Sequence, residues 1–252
     1  MVTPVSGTTF PAMIALIGDV HEWLDGMRTN LARLPAEVRS LVQVGDLWIW
    51  PGPEDAPPRA DGTLRELPPP PPGKDVQWHR LAHDVLFIDG NHHNYPLTRG
   101  LQEPTPVAPG LIYVPRGTVR VLQGMDGPLR VGFLGGADSV IDAQWRRAYR
   151  DWWPLEEPVR ATDVERLLIN ARNVGGLDLL VTHTPPASVT RTMMRSDKAQ
   201  HPSSIMVEEA WRALGGGVTD PPLELICGHM HEAWHDRERR VRVLDFLEVT
   251  YR

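Results

Sequence analysis

The stretch Met13–His21 reads MIALIGDVH, an apolar run that ends in glycine, aspartate and histidine. Five consecutive apolar residues without polar alternation suit a strand covered on both faces, as in a parallel sheet. The same pattern recurs along the chain. Leu41–Val44 leads into Gly45-Asp46, and Val85–Ile88 leads, through Asp89, into Gly90-Asn91-His92. Leu177–Thr182 leads into His183, and Leu223–Cys227 into Gly228-His229-Met230-His231. Five predicted strands thus each deliver oxygen or nitrogen donors at their carboxyl ends, where α/β folds build their sites.

The donors point to metal binding. Asp19, His21, Asp46, Asn91, His183, His229 and His231 are the candidate ligands. Carboxylates, one amide and several imidazoles suit manganese, iron or zinc. No cysteine cluster is present to hold a structural zinc or an iron–sulfur centre. Seven side chains exceed the needs of one ion and suit two ions that share a bridge. An aspartate can offer one oxygen to each ion, and Asp46, in the middle of the set, is the expected bridge.

In this order, Asp-x-His, Gly-Asp, Gly-Asn-His, His and Gly-His-x-His, the chain resembles the calcineurin-like metallophosphoesterases of the bacterial stand-alone type. The likeness runs from Ile17 to His231. It implies that Asp19, His21 and His231 hold one divalent ion and Asn91, His183 and His229 the other, with Asp46 on both. It implies two manganese ions, with iron or zinc as substitutes, and hydrolysis of phosphate esters by metal-activated hydroxide. It makes His92 a catalytic residue that faces the leaving-group oxygen, rather than a ligand. It implies an α/β fold in the form of a four-layer α-β-β-α sandwich, two mixed β-sheets flanked by helices. The chain departs from the pattern after Gly-Asn-His, where His93 replaces the usual acid. Ile49 stands where a substitute acid would be. No arginine follows Gly-Asp, which reads GDLWIWPG and argues against the protein serine/threonine phosphatases.

Bulk properties fit one α/β enzyme domain over residues 1–252, with a Pro-rich insertion at about 51–74. The net charge of −6 is a poor footprint for nucleic acid, so that partner is not favoured. Expected instead is a small phosphoester, with no membrane partner. The lone Cys227 cannot form an internal disulfide and reads as inert core. With no signal-peptide pattern and no apolar run of membrane-spanning length, the cytoplasm is the expected compartment.

Other elements follow from periodicity and punctuation. Helices are expected at Glu22–Leu34, His79–His83, Thr162–Asn173 and Ser203–Leu214. The third has Thr162 as N-cap and Glu165 completing a capping box. Leu111–Val114, Thr118–Leu122 and Leu129–Leu134 read as strands, and Val241–Val249 as a closing strand. Pro51–Lys74 is either a lid beside the metals or a stiff surface excursion. Gln144–Glu157, with Trp145, Trp152 and Trp153, reads as packing ahead of a stacking platform. Arg116, Arg191 and Arg195 read as solvated charges in an arginine-rich chain.

A diester preference is expected from the same residues. A monoester is a dianion, which dedicated arginines beside the metals would help to hold. Here Leu47, Trp48 and Trp50 follow Gly-Asp, and His93, Asn94 and Tyr95 follow Gly-Asn-His. The alternatives are a phosphomonoesterase, a nuclease of the same fold and, last, a non-catalytic scaffold, which would be expected to have lost ligands.

Overall fold

The computed structural model describes residues 12–21, 23–48, 81, 83–139, 148, 152–196, 201–220 and 222–252. Strands β1 (Met13–Ile17), β2 (Val38–Gln43) and β3 (Val85–Phe87) lie parallel, followed by a parallel β5 (Leu111–Tyr113). Two antiparallel strands close the edges, β4 (Thr105–Ala108) beside β5 and β12 (Val249–Tyr251) beside β1. The second sheet has the same plan. Its parallel centre is β7 (Gly127–Leu134), β8 (Leu179–Thr182), β9 (Glu224–Cys227) and β11 (Val241–Val243). Its antiparallel edges are β6 (Thr118–Gly124) and β10 (Trp234–Asp236). Both are six-stranded mixed sheets.

Alternation along each strand produces the layers. In β1, Ile14 and Leu16 point into a core shared with Phe133, Val181 and Ile226 of the other sheet. Ala15 and Ile17 point the other way, onto Leu24, Met27 and Leu31 of α1 (Leu24–Leu31). Those three positions form the i, i+3, i+7 stripe of an amphipathic helix. The second sheet does likewise. Leu180, Leu225 and Cys227 face α3 (Ala161–Asn173), α4 (Ala187–Met194) and α5 (Pro202–Ala213). The result is a two-sheet sandwich with helices outside, and strands buried on both faces explain the unbroken apolar runs. Among the described residues, no helix is long and apolar enough to cross a membrane.

Several expectations are corrected. The expected strand Val241–Val249 is two strands in two sheets, because Leu244 turns into the inter-sheet core and Leu247 adopts φ +55°. Thr162 does not cap α3. The helix begins at Ala161, and the Asp163 carboxylate accepts the Arg160 N–H at 3.0 Å. Arg116 also binds Asp163, at 3.2 Å, so a tertiary partner supports the cap. Of the expected Glu22–Leu34 helix, the segment Leu24–Leu31 is helical. Strands β4 and β10 and helices α4 and α2 (Tyr95–Thr98) were not foreseen. The 51–74 insertion, Trp145, and most of the His79–His83 helix lie outside the described residues.

Candidate metal centre

Every candidate ligand follows the carboxyl end of a strand, and the two sheets contribute together. Asp19 and His21 follow β1, Asp46 follows β2 and Asn91 follows β3. From the second sheet, His183 follows β8, and His229 and His231 follow β9. Three groups result whose ligand atoms lie within 4.8 Å of one another: Asp19–His21–His231, Asp46–His183–His229 and His21–Asp46–His92. Asn91 joins the second group, its Oδ1 3.4 Å from His183 Nε2. Its Nδ2 donates to Ser139 Oγ at 3.3 Å, which turns the amide oxygen toward the cluster.

Asp46 touches both ends of the cluster. Its buried Oδ2 lies 3.2 Å from His183 Nε2 and 3.8 Å from His21 Nε2. Its Oδ1 accepts the His92 N–H at 2.7 Å. Asp19 pairs with His231 Nε2 at 3.2 Å and accepts the His229 N–H at 3.0 Å. These residues could hold metal ions, and the backbone is shaped around them. A Cβ on Gly90 would sit 2.1 Å from Asp46 Oδ1, and one on Gly228 2.0 Å from Asp19 Oδ1. A Cβ on Gly45 would meet the His183 ring at 2.4 Å. The glycines of Gly-Asp, Gly-Asn-His and Gly-His-x-His are therefore there for close approach. His21, Asp46, His229 and His231 all have positive φ, between 48° and 70°. Strain of this kind collects at functional sites.

Burial and neighbouring charges set the protonation of the donors. Burial opposes ionisation of Asp46, yet the neighbouring His183 and His92 hold its carboxyl well below the usual range. Burial lowers His21 to about 4, so its imidazole is neutral at neutral pH, the form that binds metal. Burial also opposes the charge on His183, but Asp46 and Asp19 raise it to about 9. Its Nδ1 is tied to the Val44 carbonyl at 2.9 Å, which leaves Nε2 aimed at Asp46. An ion taking that position would displace the Nε2 proton. The buried carboxylate oxygen, the glycine-lined cradle and the mixed N/O donors all fit divalent ions.

Residues beside the cluster sort differently from expectation. His93 is buried against Tyr113, Tyr95 and Phe87, and its Nε2 meets the Thr98 hydroxyl at 2.8 Å. Leu47, which follows Gly-Asp, packs in the core. Trp153 is buried with Tyr95, in line with the packing reading. Trp50 and Ile49 lie outside the described residues. Arg116 is not a solvated charge. Its side chain is mostly withdrawn from solvent, and it donates to Asp89 Oδ2 at 2.8 Å, the Tyr95 hydroxyl at 3.0 Å and the Pro158 carbonyl at 2.7 Å. Asp89 immediately precedes Gly-Asn-His, and Tyr95 donates to the Gly90 carbonyl at 2.8 Å, so this network backs the ligand turn. The sequence did signal Asp89, as one more carboxylate at a strand end, but not its partner. Phe246 was also missed. Its ring lies 4.0 Å from that of His231.

No family model and no curated protein matches the chain. Among solved structures it is similar to a phosphopantetheinyl hydrolase from Mycobacterium tuberculosis, at 15% identity and a TM-score of 0.39. The match covers 94% of this chain and 91% of that one.

Proposed function

We propose that the chain is a dinuclear metal-dependent phosphoesterase that hydrolyses phosphodiesters in preference to monoesters. The observation that carries the reading is Asp46, whose Oδ2 faces imidazoles of both ligand groups, at 3.2 Å and 3.8 Å. Asp19, His21 and His231 would hold one ion and Asn91, His183 and His229 the other, with Asp46 on both. When bound, such ions withdraw charge from phosphoryl oxygens and acidify a water molecule for attack. Manganese is the first choice, with iron or zinc possible.

The chain's own groups supply the rest. His92 is fixed through its N–H on Asp46, and its ring packs against His21 and Trp48, at 4.9 and 4.6 Å between centroids. From there its imidazole would give a proton or a hydrogen bond to the departing ester oxygen. Diester preference is supported by where the arginines go. Arg116 is engaged with Asp89, Asp163, Tyr95 and backbone carbonyls, and Arg99 with Glu156 at 2.7 Å. Neither guanidinium is directed to a second negative charge on phosphate. The test compares kcat/KM for bis-aryl and mono-aryl phosphates in the manganese-loaded enzyme, with iron and zinc as comparators. Diesters should be favoured. A monoester preference of about tenfold, or about 1.4 kcal/mol in the transition state, would reverse the reading.

A further inference from the structure

The segment Leu244–Glu248 carries the chain from β11 back to the first sheet and passes beside the metal centre. It is held in place firmly. Leu247 N–H donates to the Asp19 carbonyl at 2.9 Å, and Gly18 N–H donates to the Glu248 carbonyl at 2.9 Å. Asn30 Nδ2 donates to the Leu247 carbonyl at 2.8 Å. Asp245 accepts the Phe246 N–H at 2.7 Å, and Glu248 accepts the Asp245 N–H at 3.0 Å. The hydrophobic residue in the middle of this rigid segment stays out of the core, for Phe246 is 43% exposed. A lone exposed aromatic is ordinary. This one is set against two candidate ligands, its centroid 4.0 Å from His231 and 5.1 Å from His21. Trp48 reaches the same His21 ring at 6.0 Å, and its backbone has φ +45°.

The non-phosphate part of any ester attacked at this cluster has to lie next to such flanking groups. Two rings set against His21 favour a flat partner over a flexible chain, because aromatic pairs gain from ring geometry beyond buried area. We propose that Phe246 and Trp48 form an aromatic clamp, which selects phosphoesters whose organic group is a planar ring, aryl or nucleobase. This inference rests on the phosphoesterase reading and names the substrate class of the same site.

Calorimetric binding of two phosphonates to the manganese-loaded protein tests it without turnover. Phenylphosphonate and cyclohexylphosphonate are similar in size, but only the first is planar. The wild-type protein should bind the phenyl ligand roughly threefold to tenfold more tightly. Phe246→Ala and Phe246→Leu should both erase that preference while metal content stays unchanged, and Phe246→Leu should keep its affinity for the cyclohexyl ligand. Adenosine monophosphate set against ribose 5-phosphate then separates a nucleobase from a simple aryl group. Three results would overturn the clamp alone: no phenyl preference in the wild type, a preference that survives in Phe246→Ala, or loss of metal in that variant. If neither phosphonate binds at millimolar concentration and the manganese-loaded protein hydrolyses no bis-aryl phosphate, the phosphoesterase reading falls and the clamp with it; if the diester is hydrolysed, only the clamp falls.

Discussion

Asp46 and Asp89 follow neighbouring strands of one sheet, and both are buried to within 1% of full burial. Their surroundings differ completely. Asp89 has a fixed cation. Its Oδ2 accepts from Arg116, and its Oδ1 accepts from the Tyr113 hydroxyl at 3.1 Å. Arg116 in turn satisfies Asp163 and the carbonyls of Glu156, Glu157 and Pro158. Asp46 has imidazoles instead, groups that can give up a proton and share its charge with a metal. Burial opposes the charge on each aspartate, and each is nonetheless held ionised, one by His183 and the other by Arg116. A carboxylate that the protein neutralises by itself is structural. One balanced only by proton-exchanging neighbours is ready for an ion.

Exchanging each acid for its amide should separate the two most sharply. Asp46→Asn should lose bound metal and nearly all phosphoesterase activity, and the metal-free variant should also lose the stability that the buried pair with His183 supplies below pH 9. Asp89→Asn should retain metal but cost about 3–5 kcal/mol of stability, because the charge of Arg116 is left buried without its partner. Metal analysis and denaturant titration on both variants decide the matter. Retention of two ions and near-normal turnover by Asp46→Asn would remove the distinction.

A smaller effect is expected one bond away from Asp46. His92→Ala keeps the backbone N–H that Asp46 accepts, so metal content should hold while kcat falls about 10²–10⁴-fold. The loss should shrink for esters with good leaving groups, which need little protonation. An equal loss across leaving groups would take the proton-donor role from His92.

The smallest effect concerns the aromatic pocket on the Asp89 side. Burial lowers His93 to about 4, although Asp89 pulls the other way. The unfolded chain binds a proton near pH 6.5, which the folded chain refuses until about pH 4. The stability from neutral His93 is therefore present above pH 6.5 and lost as pH falls toward 4. His183, raised to about 9, acts in the opposite sense: its contribution is full below 6.5 and fades as pH rises through 9. In chelator, His93→Phe should make the acid limb of a melting-temperature profile shallower, with His21 still contributing to it, and leave the alkaline limb alone. An unchanged acid limb would show that His93 does not titrate in that window.

Much of this was legible in the chain before any fold was known. The apolar runs ending in Gly-Asp, Gly-Asn-His and Gly-His-x-His foretold the central strands and the gathering of polar donors at their carboxyl ends, because a strand buried on both faces must be apolar throughout and must stop where polar donors begin. The two-sheet sandwich was implied by the family resemblance those motifs carry, and the fold has it. What the chain could not disclose depends on contacts between distant segments. Val241–Val249 looks like one strand, yet it divides between two sheets at Leu244, and only that crossing sets Phe246 beside His231. Arg116 reads as one solvated arginine among many until Asp89 and Asp163, 27 and 47 residues away, close around it. Local sequence determines what a segment buries and where it ends. Which charge meets which counter-charge, and which ring stays exposed beside the ligands, is decided only when the sheets pack, because those pairings have no local periodicity to betray them.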